Sequence, residues 1–249
     1  MPRRCSERRG GRGRAPGGAR ARRRRDLPGQ RARVIPSLAE TTAAAETEWL
    51  DLWTSGPVEA EGTALATGTS APDLVLADHT GRLRSLSEFW SEGPALVMFW
   101  RHFGCGCGAE RAKRLIDEIA ALREAGLELV IIGQGEPVRA AAYRDRHGLP
   151  CPILCDPHHD AYRAWGIGHW PVERVLFDAP SEYWGHPHDL GARLQDDRRS
   201  QGNPTVDDPW RAVAEFVVSG DGSVRLAYSY QHCEDFPDVR VLTTAARLA

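Results

Sequence analysis

Six apolar residues, Ala95 to Trp100, run without interruption near the middle of the chain. The run is too short for a helix and suits a strand buried on both faces. From Ala109 the period changes. Ala112, Leu115, Ile116, Ile119 and Leu122 fall on one helical stripe, while Arg111, Lys113, Arg114, Glu118 and Arg123 take the opposite face. Ala125-Gly126 ends that helix, and Leu127 to Gly133 reads as a second buried strand. Glu136-Pro137 opens a helix to about Arg146, closed by His147-Gly148. Pro152 to Cys155 is a short strand, and Asp156-Pro157 starts a helix through about Trp165. This strand–helix alternation predicts parallel strands joined by right-handed crossovers.

The flanks follow other patterns. Ser37 to about Ser55 reads as a helix, capped by Ser37 or Thr41, with a partial stripe of Leu38, Ala45, Trp49, Leu50 and Trp53. Gly56 to Thr69 is a small-residue linker. Ala71 to Asp78 is a strand, His79-Thr80-Gly81 a turn, and Arg82 to Leu86 pairs back on it. Ser87 to Trp90 is a helical turn. Residues 169–210 are rich in Pro, Gly, His, Trp and Asp and too long for a simple connection. They read as an insertion over one end of the sheet, with Trp170, Trp184 and Trp210 supplying apolar cover. Glu215 to Val218 and Ser223 to Ser229 form a hairpin across Gly220-Asp221-Gly222. A last helix runs from Phe236 or Pro237 through Leu248.

Composition narrows the class. The chain is 41% hydrophobic and 27% charged, as in soluble globular proteins, and its apolar runs fall far short of the roughly 18 residues a spanning helix needs. The formal charge of −2 is split. The first 33 residues hold thirteen arginines against Glu7 and Asp26, a surplus of +11, so the remainder carries −2 minus 11, or −13. Residues 1–36 are expected to be a disordered Arg-rich tail, since they bury too little to offset ordering entropy. It is a stretch ahead of the true start, a polyanion-binding arm, or, least in keeping with its lack of an apolar face, a transit peptide. It lacks the apolar segment that export requires, which points to the cytoplasm and to reduced thiols.

Of six cysteines, Cys105 and Cys107 stand where the buried strand turns into the helix, among Gly104, Gly106 and Gly108. Unpaired N–H groups and the helix dipole favour an anion there, so a thiol should ionise readily, and the thiolate is the reactive species. Arg101 and His102 add a cation and a donor. The turn reads as a redox-active site with Cys105 as first-choice nucleophile and Cys107 as alternative nucleophile or local resolving thiol. Residues two apart on a helix do not face each other, so a local disulfide needs the glycines to hold the segment outside helical geometry. Cys151 and Cys155 flank a buried strand and read as packing; Cys5 lies in the tail. His158-His159-Asp160 and His186-Pro187-His188-Asp189 offer ligands, but no standard zinc spacing. Neither a metal nor a bound cofactor is expected.

Several phrases carry a resemblance when taken in order. They are Gly68-Thr69-Ser70-Ala71-Pro72-Asp73-Leu74, Phe99 to Cys105, Ile131-Ile132-Gly133-Gln134-Gly135, Cys155-Asp156-Pro157 with Tyr162, and Glu215-Phe216-Val217-Val218 with Gly220-Asp221-Gly222. Over about residues 64–248 the chain resembles the peroxiredoxin-like branch of the alkyl hydroperoxide reductase and thiol-specific antioxidant family, within the thioredoxin-like superfamily. The resemblance implies an α/β, thioredoxin-like fold: a central mixed sheet with helices on both faces. The layout is then a tail at 1–36, a helix and linker at 37–63, and a thioredoxin-like domain at 64–249 with its insertion at about 169–210. Two family features are absent. The Thr/Ser-x-x-Cys signature with its upstream proline is missing, and its cysteine would fall on Gly108. The arginine before the late strand is replaced by Val213 or Ala214, with Arg211 slightly earlier, leaving Arg101 as the substitute.

In the thioredoxin-like order the late hairpin's second strand runs parallel to the central one. Its exit then shares the cysteine end of the sheet, about 10 Å away at about 4.8 Å per strand. Cys233 sits at that exit and is expected to resolve a sulfenate on Cys105 or Cys107. The implied activity is a thiol-dependent antioxidant oxidoreductase that reduces peroxides through a thiolate and sulfenic acid cycle. The alternative is a thiol-disulfide oxidoreductase or redox sensor using the Cys-Gly-Cys pair; a non-catalytic binding module is the third. The expected partners are a peroxide and an external thiol reductant, thioredoxin-type or of low molecular weight. No membrane is expected, and nucleic acid only as a non-specific contact of the tail; a homodimer is admissible.

Overall fold

A computed structural model describes residues 36–249; the expectations for the Arg-rich tail and Cys5 lie outside the described residues. The elements in chain order are α1 (Leu38–Ser55), β1 (Val75–Asp78), β2 (Leu83–Ser85), β3 (Ala95–Phe99), α2 (Gly106–Glu124), β4 (Glu128–Gly133), α3 (Pro137–His147), β5 (Ile153–Cys155), α4 (Asp160–Ala164), α5 (Val172–Val175), α6 (His188–Ser200), β6 (Ala214–Val218), β7 (Val224–Ser229) and α7 (Val239–Arg247). Among the described residues no helix is long and apolar enough to cross a membrane.

The apolar run becomes β3, and all five of its side chains are buried. It lies inside a seven-stranded sheet of order β2-β1-β5-β4-β3-β6-β7. β3, β4 and β5 are parallel neighbours, while β6 runs antiparallel to β3, and β7 to β6. The sheet is therefore mixed, and two antiparallel steps return β7 to the direction of β3. Alternation splits the run between two cores. Leu96, Met98 and Trp100 pack with α2, α3 and α7, whereas Ala95, Val97 and Phe99 pack with Trp90, Tyr162 and Trp165.

Two assignments along α2 need correction. The helix begins at Gly106 rather than Ala109, with Cys105 as its N-cap. Arg111 does not take the solvent face: it is buried, and Ile116 is exposed instead. The buried face runs through Cys107, Arg111, Leu115 and Leu122, spaced four, four and seven residues apart. Arg111 tolerates burial because Glu215 of β6 accepts from its Nε at 2.7 Å and its Nη2 at 3.1 Å. α4 also starts late, because the Asp156 carboxylate accepts the N–H groups of Asp160, Ala161 and Tyr162 at 2.8–3.2 Å.

The flanking segments are more tightly bound than their composition suggests. Ser37 and Glu40 form a reciprocal cap on α1. Trp53 of α1 stacks on Trp49 and on Trp210, with ring centroids 5.3 and 5.5 Å away. The small-residue linker is not a free tether. A side chain on Gly62 would collide with the Gly166 carbonyl, and His169 Nδ1 accepts from the backbone of Val58 and Glu59 at 3.1 Å each. Small residues serve close backbone approach here. Within 169–210, Trp170 and Trp210 are buried as expected, but Trp184 is 58% exposed.

Candidate active site

β3 ends one residue before Trp100, and Trp100 to Gly104 carry the chain round to α2. Cys105 closes the turn, its N–H donating to the His102 carbonyl at 3.1 Å. A disulfide joins Cys105 to Cys107, with Cα atoms 5.3 Å apart; Cys151, Cys155 and Cys233 are free thiols. The glycines were expected to keep the whole segment out of the helix. Only Cys105 stays out, as an extended N-cap, while Cys107 lies in the first turn. The disulfide therefore sits over the unpaired N–H groups of a 19-residue helix.

Arg101 is buried, and its Nη1 donates to Cys105 Sγ at 3.3 Å. Its Nη2 donates to the Pro209 carbonyl, which aims the guanidinium, while Nε has no hydrogen-bond partner. His102 is buried too. Burial first, then the neighbouring Arg101 charge, drives its pKa well below the usual imidazole value, so the ring is neutral near pH 7. Its Nδ1 has no partner, and no hydrogen bond runs from the ring to either sulfur. What His102 contributes to the turn is its backbone carbonyl.

Cys233 follows β7 and is half-buried. Its sulfur and those of Cys105 and Cys107 all lie within 4.8 Å of one another. Strand spacing alone suggested about twice that separation. The chain closes the distance by folding back after Tyr230, where Asp235 accepts from Tyr228 Oη at 2.9 Å and from the Gln231 N–H at 2.8 Å. A cavity of about 20 Å³ lies between Cys107 and Cys233, walled by Trp100, Arg101, Arg111 and Tyr230. Tyr230 Oη donates to Glu215 at 2.5 Å, joining the carboxylate that holds Arg111.

The segment before β6 covers the turn. A side chain on Gly104 would strike the Pro204 carbonyl, and Arg198 of α6 donates to the Gly104 carbonyl at 2.7 Å. Gln134 exchanges two bonds with the backbone of Asp208, at 3.3 and 3.0 Å, and its Oε1 accepts from His159 Nε2 at 2.9 Å. Arg211, the arginine near the family position, is spent in this network: it meets Glu59 at 2.6 Å, His159 at 3.0 Å and Asp208 at 3.4 Å. Burial, then the Arg211 charge, lowers the His159 pKa to about 4. Burial opposes ionisation of Asp208, but His169, 2.7 Å away, and Arg211 outweigh it and hold the carboxyl at about 2.

The AhpC/TSA family profile matches residues 67–183, which include Cys105 and Cys107 but not Cys233. The thiol-disulfide oxidoreductase ResA of Geobacillus thermodenitrificans is 32% identical over 118 residues, 47% of this chain and 66% of that protein. A putative peroxiredoxin of Mycobacterium tuberculosis is 31% identical over 104 residues, 42% of this chain and 66% of the relative. The alignments thus span slightly less than two thirds of these relatives. Among solved structures, peroxidoxin BcpB of Mycobacterium tuberculosis superposes with a TM-score of 0.52 at 16% identity, covering 74% of this chain and 97% of that one, a likeness of fold. In sequence over residues 67–183, and in fold, the chain is similar to peroxiredoxin-like proteins of the thioredoxin fold.

Among the described residues, the other two thiols, Cys151 and Cys155, behave as packing. Burial pushes both Cys151 and Cys155 up to about 12. The histidine-rich segments do not converge on a metal-binding group among the described residues. Arg111 is the residue at this site that the pattern misassigned. Its signal was Glu215, a lone carboxylate in an otherwise apolar strand, which needs a buried cation.

Proposed function

We propose that this chain is a thiol-dependent antioxidant oxidoreductase that reduces peroxides in a reducing cytoplasm. The observation that carries the reading is the Arg101 guanidinium at 3.3 Å from the sulfur of Cys105, with a second thiol two residues away. The Cys105 thiolate attacks one peroxide oxygen and the O–O bond breaks. Arg101 offsets charge on the leaving oxygen, which takes a proton and departs as water or an alcohol. Cys105 is left as a sulfenic acid. The thiol of Cys107 attacks that sulfur, water leaves, and the Cys105–Cys107 disulfide forms. Cys233 is the alternative resolving thiol, its sulfur within the same 4.8 Å cluster. Two external thiols, oxidised to a disulfide, return both cysteines to the reduced state.

Thiol-disulfide exchange is the second reading, supported by 32% identity to a thiol-disulfide oxidoreductase. The test compares peroxide loss and insulin reduction with the same reductant. The proposal expects peroxide consumption that disappears in Cys105→Ser. Insulin reduction without peroxide loss would transfer the site to the second reading.

A further inference from the structure

Three thiols in one place offer more than a redox pair. Cys105, Cys107 and Cys233 form the one group of three potential metal-ligating side chains found among the described residues, with sulfurs inside 4.8 Å. A zinc–sulfur bond is about 2.3 Å, so sulfurs sharing one ion stand about 3.8–4.0 Å apart. The three sulfurs need small side-chain rotations to meet that spacing once the disulfide is opened. The surroundings suit an anionic thiolate site. Cys105 caps a helix N-terminus and Arg101 donates to its sulfur. The charge of Arg111 is already taken up by Glu215 and Glu118, so it does not repel a cation as a free guanidinium would. Three thiolates with a dication leave one negative charge, which Arg101 balances. The cavity of about 20 Å³ beside Cys107 and Cys233 has room for a water as the fourth ligand.

We propose that the fully reduced chain binds one soft closed-shell dication, Zn²⁺, through Cys105, Cys107 and Cys233, and that forming the Cys105–Cys107 disulfide releases it. The two states exclude each other, because two of the three donor sulfurs are consumed by the S–S bond. In the release step the two thiolates lose two electrons to a peroxide and the S–S bond forms. The O–O bond breaks, two protons are taken up, and water and an alcohol (or a second water) leave with the aqua ion. The bound ion would hold the thiols in their reduced form and block disulfide exchange until an oxidant arrives. The binding claim stands without the peroxidase reading, since it needs only that the three thiols be reduced.

Full-length protein is reduced, freed of metal under anaerobic conditions and titrated with Zn²⁺ against a chromophoric chelator. Co²⁺ serves as the spectroscopic probe for thiolate-to-metal charge transfer. One equivalent should bind the reduced chain and none its disulfide form. Cys233→Ser and Cys233→Ala should weaken binding by about 100-fold or more, with circular dichroism reporting that both are folded, while Cys5→Ser binds as the parent does. One equivalent of hydrogen peroxide should release the zinc as the disulfide forms. Equal binding by oxidised protein, or by both folded Cys233 variants, overturns the proposal, as does zinc retention after oxidation. Peroxide turnover of metal-free protein, measured in parallel, reports separately on the peroxidase reading.

Discussion

Cys105 with Cys107, and Cys151 with Cys155, are two pairs of the same residue on the same sheet, each beside a parallel strand. Of the second pair, Cys155 is the last residue of β5 and Cys151 lies two residues before the strand, and desolvation pushes both thiols up to about 12. The first pair sits past the end of β3, at the mouth of α2, with a guanidinium 3.3 Å from one sulfur. Burial penalises a thiolate; a helix N-terminus and an arginine stabilise it. The contrast teaches that the fold sets sulfur reactivity by what surrounds the strand end. Buried at either end of β5, a cysteine is an inert packing group; beyond the end of β3, at a helix mouth and beside a guanidinium, it is a candidate nucleophile.

Exchanging the pairs' chemistry is the strongest way to break that contrast. Cys105→Ser should lower peroxide consumption by about 100-fold or more, whereas Cys155→Ala should leave turnover intact and cost about 1–2 kcal/mol of stability in denaturant titration. Loss of turnover in Cys155→Ala with unchanged stability would undo the distinction. Next in size is the buried pair behind the site. Arg111→Met strands the Glu215 carboxylate and should destabilise the fold by about 3–5 kcal/mol, with Arg111→Met/Glu215→Gln regaining most of it. A double variant no more stable than the single one contradicts a role based on charge pairing. Arg101→Gln should raise the pKa of Cys105 and slow peroxide reduction about tenfold with little change in melting temperature. That outcome would separate a charge that acts on chemistry from the Arg111 charge, which acts on the fold.

The smallest effect concerns pH. His159 has its folded pKa depressed to about 4, against about 6.5 unfolded. Below pH 6.5 the unfolded chain therefore takes up a proton that the folded chain refuses, and stability falls until about pH 4. His102, depressed by burial and Arg101, acts with the same sign. His159→Gln should flatten the stability profile between pH 6.5 and 4 relative to the parent; an unchanged slope would remove His159 from the account.

Much of this was legible before any coordinates, for physical reasons that differ by element. The run Ala95 to Trp100 could only be a two-sided buried strand, and the cysteines had to fall at the turn beyond it. Strand direction carried Cys233 to the same end of the sheet, because two antiparallel steps are one parallel relation. Its close approach was not legible, since it depends on Asp235 folding the chain back through tertiary hydrogen bonds. Arg111 was misassigned because helical periodicity sorts residues by polarity, and an arginine paired across the sheet looks the same as one in water. Trp184 was misassigned for the converse reason: apolar composition does not say which of several tryptophans finds a partner.

The account rests on the acidity of Cys105, and site-resolved alkylation of the reduced full-length chain against pH measures it directly by mass spectrometry. The account predicts that Cys105 reaches half its limiting rate below about pH 7.5, while Cys151 and Cys155 stay unlabelled until the chain unfolds. Labelling of Cys105 only at or above the ordinary cysteine range near 8.5, or at the rate of the two β5 thiols, would contradict it.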